Sequence, residues 1–279
     1  MKKVLICTIV RDSSKYLNNW INQIAKLSLE IKDDYIIYLS VYENDSIDGS
    51  DVFLKKIDQK LTGNYHIITT EKIGTLKYPS IWNENRIKNL ANARQKCLDQ
   101  ANAKWGLSTF DKIAYIEPDV SYDPAWCKEL IIARHPNQAG LQEPDIYSGY
   151  SLRVESHPKE SIFLYDTCAT RKTENDISWS FSDDENWRAK SLIKTNFSNF
   201  DNNCLHSIWS TFNCFCVYNA DPFINGLRWN YINKRLDTGQ VKIEGGWLDA
   251  DTVVICEDFR KNNYNKIYLN TNCLIRHLN

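Results

Sequence analysis

Near the middle of the chain the sequence reads Lys112-Ile113-Ala114-Tyr115-Ile116-Glu117-Pro118-Asp119-Val120, and the architecture can be worked out from there. A short apolar strand runs straight into two carboxylates. The proline between them fixes its own φ and stiffens the turn. In an open α/β sheet, ligands bind in the crevice beyond the carboxyl ends of the strands. Acids placed there suit a hard divalent cation, and such a cation can grip a diphosphate. The same acids also fit a turn or an N-cap ahead of a helix that begins near Pro124.

Upstream, strand and helix alternate. Lys3–Val10 is a continuous apolar run, as in a strand buried on both faces. Helical spacing follows over Tyr16–Leu29, through Leu17, Trp20, Ile21, Ile24 and Leu27. Tyr35–Glu43 reads as a second strand, Asp45–Ser50 as a turn and cap cluster, Asp51–Leu61 as a helix and Tyr65–Thr70 as a strand. A loop with Gly74 and Pro79 leads to a long helix over Asn83–Ala103. Repeated β-α-β units predict a mainly parallel sheet with helices on both faces.

Downstream the pattern loosens. Pro124–Arg134 reads as helix, and Ile162–Thr170 and Thr211–Asn219 as strands. The polar stretch Arg171–Asn203 holds Trp179, Phe181, Trp187 and Phe197. So long a loop in a compact domain is expected to be either functional or mobile. A helix from Ala250, capped by Asp249, precedes short strands at Ile267–Leu269 and Leu274–Leu278. One domain over 1–279 is expected, with a nucleotide half (1–122) and an acceptor half (123–279).

Composition narrows the classes. A net charge of −1 and a pI near 6.5, with no basic stripe, give no case for nucleic acid. The N-terminal apolar run is cut short by Arg11-Asp12, so it reads as a core strand and not a signal peptide. No stretch approaches the roughly 20 apolar residues of a transmembrane helix. The 9 cysteines are odd in number and lack paired spacing, which predicts reduced thiols in a cytoplasm-like compartment.

Four constellations carry chemistry. In Val41–Ser50 a strand ends in Glu43, an acid able to accept from a nucleobase edge or ribose, or else to form a capping turn. Arg94 falls on the apolar stripe of the long helix (Ile87, Leu90, Ala91, Cys97, Leu98, Ala101), so its guanidinium needs an anionic partner. Asp119 and a diphosphate are the expected choices; a snorkelling or structural arginine is the alternative. Gly245-Gly246-Trp247 lets backbone amides approach an anion, ahead of Glu257 and Asp258, which point about 100° apart on a helix. His277, in a terminal apolar strand, is either a packed histidine or the nitrogen donor of a mixed O/N metal site.

Taken in order, these residues resemble the GT-A (Rossmann-like) nucleotide-sugar glycosyltransferases. More narrowly, the chain is similar to the cryptococcal capsule-associated mannosyltransferases. The matching segments are Val41–Ser50, Asn85–Gln100 with Phe110–Tyr122, Phe163–Thr170 (Tyr165-Asp166-Thr167), Cys214–Arg228 and Cys256–His277. The metal motif is Glu-Pro-Asp where the family pattern is Asp-x-Asp, and an unanchored form, unlike the fungal relatives, is expected.

The resemblance implies an Mn²⁺-dependent (or Mg²⁺-dependent) transfer from a nucleotide-sugar, with GDP-mannose favoured over a UDP-sugar, to a glycan or glycoconjugate hydroxyl, with retention. Asp119 and His277 would bind the metal. Thr8, Val10, Arg11 and Glu43 would hold the nucleoside, and Glu117 would contact the ribose or act through water. Arg94 would neutralise phosphate or pin Asp119, and Gly245 and Gly246 would approach the diphosphate or sugar. Glu257 and Asp258 would face the acceptor, with Trp179, Trp187 and Trp247 lining its path. An inverting UDP-sugar transferase with Asp258 as base, and an inactive carbohydrate-binding protein on the same fold, are the alternatives. The unanchored form suits glycan assembly in a bacterial cytoplasm, or in host cytoplasm for a large virus.

Overall fold

Val4, Leu5, Ile6 and Cys7 have no exposed surface, so the first strand lies inside the molecule. The computed structural model describes residues 1–61, 63–78, 83–133, 143–155, 161–164, 169–174, 205–234 and 242–278. Strand β1 (Lys2–Val10) is paired in parallel on both sides, to β2 (Tyr35–Asn44) and β4 (Lys112–Ile116), and β3 (His66–Glu71) extends the sheet beyond β2. Helix α1 (Ser14–Ile31) buries Leu17, Trp20, Ile24, Leu27 and Ile31 on one face of the sheet, in one core with Val4 and Ile6. Helix α3 (Glu84–Trp105) packs Ala91, Cys97, Leu98 and Ala101 in a second core with Leu5 and Cys7. Successive residues of β1 therefore serve opposite faces, as strand periodicity requires. Each such Leu or Ile withdrawn from water contributes ~1.5–3 kcal/mol. Helix α2 (Ser50–Lys60) joins β2 to β3.

Beyond β4 the chain forms β5 (Val120–Tyr122), α4 (Pro124–Ile132), β6 (Ile146–Glu155), β7 (Ser161–Leu164), β8 (Leu205–Ser207), β9 (Phe215–Asn219) and α5 (Asp221–Ile224). Then come β10 (Ile232–Asn233), β11 (Lys242–Ile243), β12 (Gly246–Leu248), α6 (Asp251–Lys261) and β13 (Ile267–His277). The main sheet runs β3-β2-β1-β4-β9-β6-β13-β5, with β7 beside β6 and β8 beside β13. The expected parallel pairing holds through β4. Antiparallel pairs enter with β9, which opposes both β4 and β6, and β13 runs parallel to β6 but antiparallel to β5. A separate antiparallel sheet, β10-β12-β11, stands apart. Among the described residues no helix is long and apolar enough to cross a membrane.

Three local expectations are corrected, and a fourth is seen in part. The two terminal strands are one strand, because the polar Asn270-Thr271-Asn272 forms an irregularity within β13 and does not end it. The strand expected from Thr211 begins only at Phe215, because Asn213 and Cys214 take positive φ. Asp249 does not cap α6 through its side chain; Ala250 holds the cap position, and Asp249 is gripped by Arg171 (2.8 Å) and Asn233 (3.0 Å). The strand expected over Ile162–Thr170 is seen as β7, and its 165–168 portion, with Tyr165-Asp166-Thr167, lies outside the described residues.

Candidate functional site

The parallel strands β1, β2 and β4 end at one edge of the sheet. Register sets Val10 beside Glu43 there. Thr8 is fully buried, and its hydroxyl donates to the Ile116 carbonyl (2.9 Å), tying β1 to β4. The Val10 side chain is part of the α1-side core. Glu43 is also fully buried; its Oε1 accepts from the Ser46 amide (2.8 Å), and among the described residues its Oε2 has no hydrogen-bond partner. The Arg11 guanidinium reaches across the edge to the Thr75 carbonyl (2.7 Å) and hydroxyl (3.0 Å).

Three aspartates lace the loops of this edge together. Asp12 accepts from the Ile47 amide (2.9 Å) and pairs with Lys77 (2.9 Å). Asp48 accepts from the Ser14 amide (2.8 Å) and from the Ser50 amide and hydroxyl (3.0 and 2.6 Å). Asp45 accepts from the amides of Ile73, Gly74 and Thr75 and from the Thr75 hydroxyl. The Ile47 amide, then the Lys77 ammonium, draw Asp12 below its usual range against burial. Burial opposes ionisation of Asp48, but the Ser50 hydroxyl and the Ser14 and Ser50 amides prevail and bring it to about 2. Burial likewise opposes Asp45, and the Thr75 hydroxyl with the Gly74 and Thr75 amides takes it lower still.

Arg94 sits at the centre of the site, on the inner face of α3. Its side chain is only 4% exposed. One Nη pairs with Asp251 at the start of α6, and the other with Glu117 (3.1 Å). The guanidinium lies over Phe212 (4.6 Å) and Trp229 (5.3 Å). Tyr115 donates to the Arg94 carbonyl (2.7 Å), and the Trp229 indole donates to Tyr115 (2.8 Å). Burial works against the arginine's charge, yet Asp251 and Glu117 hold it above its ordinary pKa. The expected contact of Arg94 with Asp119 is corrected: its fork is taken by Asp251 and Glu117. Glu117, at 25% exposure, is the member of this cluster that reaches solvent.

Asp119 pairs with His277 (Oδ2 to Nε2, 3.1 Å). The antiparallel β5–β13 register, which sets His277 opposite Val120, brings the two together, and the Asp119 carbonyl accepts from the Leu278 amide (2.8 Å). Glu257 is buried and accepts from the Trp209 indole (2.7 Å), while Asp258 pairs with Lys261 (2.9 Å) near the surface. Gly245 and Gly246 belong to the β11–β12 hairpin. Gly245 has φ +88, and a Cβ on Gly246 would lie 2.5 Å from the Asn233 carbonyl oxygen. Trp247 is half-buried in β12, and Trp179 and Trp187 lie outside the described residues. Asp251 was not singled out from sequence; its only local signal is an acid in the first turn of a helix.

Against known proteins, a family model described as Cryptococcal mannosyltransferase 1 matches residues 3–258. No curated protein matches. The structure of GalNAc-T7 with UDP, GalNAc and Mn²⁺ superposes with a TM-score of 0.52 at 8% identity, covering 100% of this chain and 44% of that one. The mannosyltransferase Ktr4p from S. cerevisiae, in complex with GDP, gives 0.34 at 11% identity, covering 95% of this chain and 62% of that one; a score so low says nothing of fold. The chain thus spans less than two thirds of either of those chains. The GalNAc-T7 match shows a glycosyltransferase fold of the GT-A kind.

Proposed function

Because the chain belongs to the cryptococcal mannosyltransferase 1 family, a family of glycosyltransferases, we propose that it moves a hexose, mannose from GDP-mannose in the favoured reading, onto a glycan hydroxyl with retention. The observation that carries this reading is the meeting of Asp119 and His277 at 3.1 Å, two residues beyond Glu117, which follows the last residue of β4. In this reading one domain spans the chain, with the donor bound in its first half and the acceptor in its second.

A carboxylate and an imidazole form a mixed donor pair suited to Mn²⁺. Among the described residues no group of three or more His, Cys, Asp or Glu side chains converges. Asp119 and His277 would hold the cation from the protein side, with its remaining ligands left to the bound donor. Once bound, it would offset charge on the departing nucleoside diphosphate.

The chain's own residues do the remaining work. Glu43 would accept from the nucleoside with its buried second oxygen, and Arg11 would keep the Thr75 loop beside it. Arg94 would act through Glu117: both ends of its fork are paired with carboxylates, which suits it to positioning that acid. Glu257, held by the Trp209 indole, is the acid assigned to the acceptor side.

Incubation with GDP- and UDP-sugars, with and without Mn²⁺ or Mg²⁺, tests the proposal. Release of nucleoside diphosphate that is lost in Asp119→Ala is expected, fastest with GDP-mannose. No release from any donor, with Asp119→Ala indistinguishable from the parent, would overturn it. NMR of the product anomer decides retention.

A further inference from the structure

Residues 210–214 carry the chain from the bridge between Ser210 and Arg171 into β9. They pass beneath the Arg94 cluster and touch it twice. The Phe212 ring lies under the guanidinium at 4.6 Å. The Cys214 carbonyl accepts from the Glu117 amide at 2.9 Å. Between these contacts the backbone is forced: Asn213 has φ +51 and Cys214 φ +61. Two successive non-glycine residues in the left-handed region are uncommon, and such turns persist where their surroundings over-determine them.

The surroundings here are the Asn213 amide, which has no exposed surface. Its Oδ1 accepts from the Ser151 hydroxyl (2.8 Å) and amide (3.3 Å). Its Nδ2 donates to the hydroxyls of Thr211 (2.8 Å) and Thr170 (3.1 Å). The Thr211 hydroxyl is in turn 2.5 Å from that of Ser148. One side chain therefore ties the turn to β6 and to the Thr170 segment, at the point where Phe212 and Cys214 reach the acid cluster.

We propose that Asn213 is a positioning residue: its amide pegs this turn and so fixes Glu117 through the Cys214 carbonyl and Arg94 through the Phe212 ring. The role in turnover rests on the glycosyltransferase reading above. The peg itself does not.

Asn213→Gly is the informative variant, because glycine accepts the positive φ while removing the side-chain hydrogen bonds to Ser151, Thr211 and Thr170. Two measurements are made on the full chain. In the first, amide hydrogen exchange at Glu117 is expected to speed up at least tenfold while exchange in β1 changes little, and the thermal midpoint falls with the lost buried hydrogen bonds. In the second, nucleotide-sugar turnover is compared across Asn213→Gly, Glu117→Gln and the double variant. Loss of at least tenfold in kcat/KM, with the double variant no worse than Glu117→Gln alone, supports action through Glu117. Unchanged exchange at Glu117, or losses that multiply in the double variant, would overturn the proposal. Should Asn213→Gly fail to fold, Ser151→Ala removes one peg and is read the same way, with a smaller acceleration expected. A chain that releases no nucleotide but shows the exchange change would defeat the functional reading and leave the peg standing.

Discussion

Arg94 was legible as a problem before its solution was. Its place on an apolar stripe shows that it is buried and needs an anion. Its partner Asp251 lies far along the chain, in a helix whose own pattern gives no hint of the contact. Local periodicity reports which face is buried, not what will be found there. Breaking a buried ion pair leaves uncompensated charge and costs ~3–5 kcal/mol. Arg94→Met should therefore lower the urea unfolding free energy by about that much. Arg94→Lys keeps the charge but not the fork, so turnover should fall at least tenfold with a smaller loss of stability.

The laced aspartates give a pH signature at the same scale. Their folded pKa values lie below the unfolded ones, so the stability they contribute is complete above the unfolded value of about 4. For Asp48 it is lost as pH falls through about 2. Acid titration followed by tryptophan fluorescence should show this loss, and Asp48→Asn should lower the neutral-pH midpoint while flattening the acid limb.

At the scale of elements, the parallel half follows from its sequence because strands buried on both faces leave continuous apolar runs. The second half does not. Strand β6 interleaves serine and glycine with its apolar residues, and β10 to β12 are two or three residues long, too short for any period to register. Gly149 on β6 lies against β13, and a Cβ there would come within 2.5 Å of the Ile275 side chain and 2.7 Å of the Cys273 carbonyl oxygen. Overpacking of this kind costs ~1–3 kcal/mol. Gly149→Ala should lower the thermal midpoint accordingly. Donor affinity should suffer as well if the shift travels along β13 to His277.

For the molecule as a whole, a ligand that binds only the folded state raises its stability, by about 2.7 kcal/mol at a hundredfold excess over Kd. GDP with Mn²⁺ should raise the thermal midpoint by several degrees. Neither His277→Ala nor Asp119→Ala should show the part of that rise that depends on the cation. The sheet that would transmit this effect is continuous from β3 to β5, so both halves of the chain share one framework.

The irregularity in β13 is where the strand changes sides. Residues Asn270 to Cys273 lie opposite Gly149 alone, between the paired positions Leu269 and Leu274. Ile267 and Leu269 join the α3-side core, whereas Cys273 and Ile275 join the α1-side core, although strict alternation would have kept all four on one face. The direction of His277 is therefore set by the pairs that follow, from Leu274 with Tyr150 to His277 with Val120. Loss of one residue from Asn270-Thr271-Asn272 should thus be absorbed by the slack opposite Gly149 and leave cation dependence in place, whereas loss of one residue between Leu274 and His277 should abolish it.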